Sequence, residues 1–122
     1  MEFKLTLPMP PSINRLYRMG KGNFYTSSES KLYDNLVWAM VRETNQQNCF
    51  TEEDRLRLEI FVHAENNRKF DLDNLIKKCQ DSLQFAGVYP NDNQIDELWV
   101  QRGEIRKPAE VYVYIRTLDS AK

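Results

Sequence analysis

The residues of this chain best equipped for chemistry are carboxylates. Asp71-Leu72-Asp73-Asn74 sets two of them two residues apart, and repulsion between like charges that close is relieved well only by a cation. Asp73 also has an ordinary role open to it, because an aspartate at a helix start accepts from the free amides of the first turn. The calcium loop of an EF-hand does not fit: its sixth position needs glycine and is Ile76, and its twelfth needs glutamate and is Ser82. Magnesium is held instead by a few carboxylates with water and phosphate oxygens, and these can come from the ends of different elements. Lys77, four residues after Asp73, and Asp81, four further on, share one helix face. They read either as an exposed ion pair or as a cation set beside the carboxylates to meet a phosphate or its leaving oxygen. Asn91-Asp92-Asn93 suits a turn on its own account, and spacing alone does not bring Asp92 back to Asp71.

The elements that must position these groups follow from periodicity. Phe3, Leu5 and Leu7 alternate with polar residues as in a strand with one buried face, which Pro8, Pro10 and Pro11 terminate. Pro8 to Tyr25 has no clear period and reads as a long loop. Thr26-Ser27-Ser28-Glu29 fits a capping box, and Leu32, Tyr33, Leu36, Val37 and Met40 then follow at helical spacing, predicting a helix over about 27–46. Alternation from Leu56 to Ala64 predicts a second strand. Leu72, Leu75, Ile76, Cys79, Leu83 and Ala86 form the stripe of a second helix over about 73–86, with Gly87 as its left-handed closing residue. A loop from Val88 to Asn93 leads to two last strands, about Ile95–Arg102 and Ala109–Arg116. The expected fold class is α+β (mixed α/β), a single domain over 1–122 in the order β-α-β-α-β-β, with a small mixed sheet covered by two helices.

Composition bounds the partners. The chain of 122 residues has 41% hydrophobic residues, enough for one core without staples. Its two cysteines, Cys49 and Cys79, form no CxxC pair and are expected reduced, with Cys79 in the core. No apolar run nears the roughly 18 residues of a membrane span, and Glu2 and Lys4 stand where a signal sequence would be apolar. A cytoplasmic protein with no membrane partner is expected. Net charge is −1, which on its face disfavours nucleic acid. By region the balance differs: residues 1–28 carry Lys4, Arg15, Arg18 and Lys21 against Glu2 alone, and the excess of acid lies in the remainder.

With these motifs in hand, the chain resembles the RusA family of Holliday junction resolvases, small dimeric magnesium-dependent endonucleases of phage and prophage origin. The resemblance runs through Leu7-Pro8-Met9-Pro10-Pro11-Ser12-Ile13-Asn14-Arg15, Asp71-Leu72-Asp73-Asn74 with Lys77, Ala86-Gly87, and Asn91-Asp92-Asn93-Gln94-Ile95. It implies that Asp71, Asp73 and Asp92 are catalytic metal ligands for Mg2+, with Mn2+ able to substitute, that the loop after the second helix returns Asp92 to the strand end beside Asp71, and that Lys77 is the catalytic helix lysine. It further implies a homodimer that cuts four-way junction DNA by paired symmetric nicks, leaving 5′-phosphate and 3′-hydroxyl ends, with no small-molecule cofactor. The stretch before the first aspartate, Asn66-Asn67-Arg68-Lys69-Phe70, is less arginine-rich than in some relatives. One or two magnesium ions at the carboxylates would offset part of the acidic excess.

DNA contacts are assigned to Asn14, Arg15, Arg18 and Lys21 in the loop after strand one and to Arg68 and Lys69 beside the site. Phe24 and Tyr25 are open between stacking on unpaired bases and packing in the core. Tyr112 and Tyr114 are open between a dimer interface and a place under a helix. His63, the only histidine, is read as structural and left out of the site. The competing reading is a non-catalytic module that binds branched DNA without cutting it. A nucleotide-directed magnesium enzyme has no support, since the chain lacks a GxxxxGK[ST] phosphate loop.

Overall fold

The computed structural model describes residues 1–11, 24–67 and 72–118, without the side chains of residues 24–27 and Asn74. Four strands, β1 (Glu2–Pro8), β2 (Leu56–His63), β3 (Ile95–Arg102) and β4 (Glu110–Thr117), alternate with two helices, α1 (Phe24–Glu43) and α2 (Leu72–Phe85). A short 3-10 turn at Asp92–Gln94 leads into β3. The chain order is the expected β-α-β-α-β-β. The sheet order is β1-β4-β2-β3, with β4 antiparallel to both neighbours and β2 parallel to β3. A parallel pair needs a long crossover, and α2 supplies it between β2 and β3.

The alternation seen in the sequence is the alternation of faces. Phe3 and Leu7 of β1, Leu56, Leu58, Ile60 and Val62 of β2, and Val111, Val113 and Ile115 of β4 are all fully buried on one face. Both helices pack there, α1 through Tyr33, Val37 and Val41 and α2 through Leu75, Cys79 and Leu83. Each such aliphatic side chain contributes about 1.5–3 kcal/mol by leaving water. The other face carries Tyr114 opposite Glu59 and Tyr112 opposite Phe61, with the latter two rings 6.2 Å apart. Tyr112 and Tyr114 are half-buried on this face, so among the described residues they lie under neither helix. Cys79 is buried and free, its thiol pushed up to about 12 by burial. Cys49 is also free.

Both helices end as the local chemistry dictates. After α1, Gln46 N–H donates to Val41 O (3.0 Å) and Asn45 N–H to Arg42 O (3.1 Å), with Asn45 left-handed at φ 57°. This is a Schellman closure, and it stops α1 at Glu43, three residues short of the predicted end. The start also differs: Thr26 lies inside the helix, which begins at Phe24, so the Thr26–Glu29 pair is not the cap. Phe24 and Tyr25 therefore belong to α1 instead of the loop, and their side chains lie outside the described residues. After α2, Val88 N–H donates to Leu83 O (3.1 Å) and Gly87 N–H to Gln84 O (3.0 Å) around Gly87 at φ 83°, the closure the glycine predicts. Strand ends differ from expectation by a residue: β1 includes Pro8 at its terminus opposite Glu110, β2 stops at His63, and β4 runs one residue later.

Between the helices sits a polar cluster. Lys78 Nζ, largely buried, donates to Asp34 Oδ1 (2.8 Å), to Ser30 O (3.2 Å) and to Ser30 Oγ. Ser82 Oγ donates to the same Asp34 oxygen at 2.7 Å. The ammonium has three donors and finds three acceptors, which fixes the rotation of α2 against α1 and so the direction its opposite stripe faces.

Candidate active site

Asp73, Lys77, Asp81 and Gln84 are the exposed residues of that opposite stripe, within about 80° of one another at 100° per residue. Asp73 is the second residue of α2, inside the first turn and not at the cap. Lys77 Nζ pairs with Asp81 Oδ1 at 3.2 Å, with the lysine side chain 65% exposed. Such an exposed pair contributes about 0.3–0.5 kcal/mol, so Lys77 can exchange Asp81 for a phosphate oxygen at little cost.

Asp92 reaches this helix by a folded-back loop. Val88 and Tyr89 are buried beneath α2, and Tyr89 Oη donates to Gln80 O at 2.9 Å. Burial first, and then the negative charge of Asp92, push the Tyr89 phenol well up from its ordinary value. Asp92 itself is half-buried at the head of the 3-10 turn, and its N–H donates to Gln84 Oε1 at 3.0 Å. The turn is closed by a capping box: Asn93 N–H donates to Asn91 Oδ1 (3.0 Å) and Asn91 N–H to Gln94 Oε1 (3.1 Å).

Within one chain, this return places Asp92 at the C-terminal end of α2, not at the strand end before α2 to which the resemblance returns it. Gln84 is in the last turn and Asp73 in the first, about 16 Å apart along the axis at 1.5 Å per residue. Sheet register agrees, because β3 starts with Ile95 opposite Leu56, at the beginning of β2, whereas the first turn of α2, with Asp73, comes after the end of β2. Among the described residues no three His, Cys, Asp or Glu side chains stand together as a metal site. Asp71 lies outside the described residues, as do the assigned DNA contacts Asn14, Arg15, Arg18, Lys21, Arg68 and Lys69.

His63 is buried, with Nδ1 2.9 Å from Glu104 O, and its ring packs on Gly103, where a side chain would collide with it. It serves the join between β2 and the end of β3, away from the α2 stripe. Two residues given no role by the sequence, Gln84 and the motif residue Gln94, hold the turn that carries Asp92. The signal for Gln94 was present, since Asn91 and Gln94 have capping-box spacing.

The family model for Endodeoxyribonuclease RusA matches residues 8–116. The chain belongs to the RusA family. It is 34% identical over 102 residues to a protein named crossover junction endodeoxyribonuclease RusA from Enterobacteria phage HK97, covering 84% of this chain and 83% of the relative. Proteins of the same name from Escherichia coli strain K12 and from Enterobacteria phage 82 are each 31% identical over 105 residues, 86% of either chain. The RusA match takes in every residue singled out above for chemistry or DNA contact. No helix among the described residues is long and apolar enough to cross a membrane.

Proposed function

We propose that this RusA-family chain is a magnesium-dependent endodeoxyribonuclease that resolves four-way junctions as a homodimer by paired symmetric nicks. The observation that carries the reading is the family match over residues 8–116, which encloses Asp71, Asp73, Lys77 and Asp92 together. Kinship with phage proteins fits a prophage origin and action on DNA in the cytoplasm.

The donors are carboxylate oxygens, the hard ligands that Mg2+ takes and that Mn2+ shares. Asp71 and Asp73 of one chain would hold the cation. Asp92 of the same chain hangs from the far end of α2, so Asp92 of the partner subunit completes the set, and dimerisation is a condition of metal binding. When bound, the cation supplies water activation and neutralises charge growing on the scissile phosphate. Lys77, released from Asp81, meets the phosphate or the departing 3′ oxygen. The products carry 5′-phosphate and 3′-hydroxyl ends. Two such sites related by a two-fold axis correspond to the two strands that a four-way junction offers for symmetric cleavage.

The test is incubation with a synthetic four-way junction in Mg2+ and in excess EDTA. Paired, ligatable nicks in Mg2+ alone are expected, and Asp71→Asn should bind the junction without cutting it. Cleavage in EDTA contradicts the metal mechanism. Binding without cleavage by the unaltered chain turns the reading to a non-catalytic junction-binding module.

A further inference from the structure

Asp92 stands on a turn, not on a helix or strand, yet a metal-binding carboxylate has to be held to within about 0.5 Å. Two glutamines do the holding. Gln94 is 3% exposed and uses its whole amide: Oε1 accepts from Asn91 N–H, and Nε2 donates to Thr51 O (2.7 Å) and Asp54 O (2.9 Å). It pegs the 3-10 turn to the bend before β2. Gln84 works from the other side, its Oε1 accepting from Asp92 N–H at 3.0 Å. A backbone N–H can only donate, so the oxygen of the Gln84 amide, not its nitrogen, faces the turn. The Gln84 side chain is exposed, so its tie to Asp92 is not a by-product of core packing. It also lies on the Asp73–Lys77 stripe, three turns on. One rigid helix thereby spaces Asp92 from Asp73 and Lys77, a fixed span that two copies must match when they meet.

We propose that Gln84 is a positioning residue for Asp92, acting as a hydrogen-bond acceptor on its main chain, with Gln94 as the buried anchor of the same turn. The inference rests on reading Asp92 as a metal ligand. Gln84 is the cleaner position to test, because truncating Gln94 would strand two carbonyls and an N–H at once.

Gln84→Met keeps the length and removes the acceptor, whereas Gln84→Glu keeps an acceptor. Asp92→Asn is the reference. On the full-length chain, Mg2+ binding is measured calorimetrically without DNA, alongside the Mg2+ concentration for half-maximal junction cleavage and the melting temperature. Gln84→Met should weaken Mg2+ binding about five-fold, the weight of one neutral hydrogen bond, and raise the half-maximal Mg2+ by a similar factor, with the melting temperature lowered by no more than about 4 °C, the cost of that one bond. Gln84→Glu should return both to within two-fold of the unaltered chain, as order-of-magnitude hydrogen-bond energetics require. Wild-type Mg2+ binding by Gln84→Met, failure of Gln84→Glu to recover it, or a fall in melting temperature well beyond the roughly 4 °C of one hydrogen bond overturns the role of Gln84. If Asp92→Asn also binds Mg2+ and cleaves like the unaltered chain, the metal-ligand reading has failed; if it is defective while Gln84→Met is not, only the inference about Gln84 has.

Discussion

Replacing Asp34 by alanine should loosen the helix that carries the site. Asp34 and Lys78 are 21% and 12% exposed at their side chains. Removing the carboxylate leaves the Lys78 ammonium on the two Ser30 oxygens and strips the fully buried Ser82 hydroxyl of its acceptor. Breaking a fully buried ion pair on one side costs about 3–5 kcal/mol. Partial exposure lets water reach the stranded ammonium, which brings the expected loss to about 2–3 kcal/mol. For a domain of this size that is a fall in melting temperature of roughly 8–12 °C. Substituting both partners, Asp34→Leu with Lys78→Met, removes the stranded charge with the pair and should land within about 1 kcal/mol of the original. Thermal unfolding followed by circular dichroism, at one protein concentration because a dimer melts concentration-dependently, gives both values. An Asp34→Ala protein melting within about 2 °C of the original, or a double variant no better than the single one, would refute the reasoning, since the stranded charge is its whole basis.

Gly103→Ala should destabilise by about 2 kcal/mol, because the added methyl would sit 2.7 Å from His63 Nδ1 and the ring is tied to Glu104 O; chemical denaturation measures it. The hydrogen bond from Arg55 holds the Asp96 carboxyl below its ordinary range, so that pair contributes stability above the unfolded-chain value of about 4. That contribution is lost as pH falls through the lower folded value, and Asp96→Asn should flatten this part of the acid-unfolding curve. Reversing Arg68 and Lys69 to glutamate should weaken junction binding and make its log–log salt dependence shallower by about two; an unchanged slope would remove them from the interface.

What the sequence revealed of this fold depended on how one-sided each element is. β1, β2 and β4 bury one face against the helices, so Phe3, Leu58 and Val113 betray their strands by simple alternation. Gly87 predicted the end of α2 because only a left-handed residue closes that turn cheaply. Asn45 does the same for α1 at φ 57°, but asparagine takes many other conformations and gave no warning. The Thr26–Glu29 pair was a capping signal that the helix simply runs past. Strand order, and the parallel pairing of β2 with β3, rest on contacts between residues distant in sequence and have no local signature. The candidate site was legible in its residues and illegible in its assembly. No spacing rule states that Tyr89 tucks under α2, or that Asp92 then meets Gln84 at the opposite end of the helix from Asp73.

Mixed dimers test this account most directly. Asp73→Asn and Asp92→Asn chains, each inactive alone on a four-way junction in Mg2+, are unfolded and refolded together. If each site takes Asp73 from one chain and Asp92 from the other, the mixed dimer holds one intact and one doubly altered site. The mixture should then nick the junction on one strand where neither parent cuts at all. If both parents are inactive and the mixture is too, the carboxylates act within a single chain; if either parent alone cuts like the original, they are not the catalytic ligands.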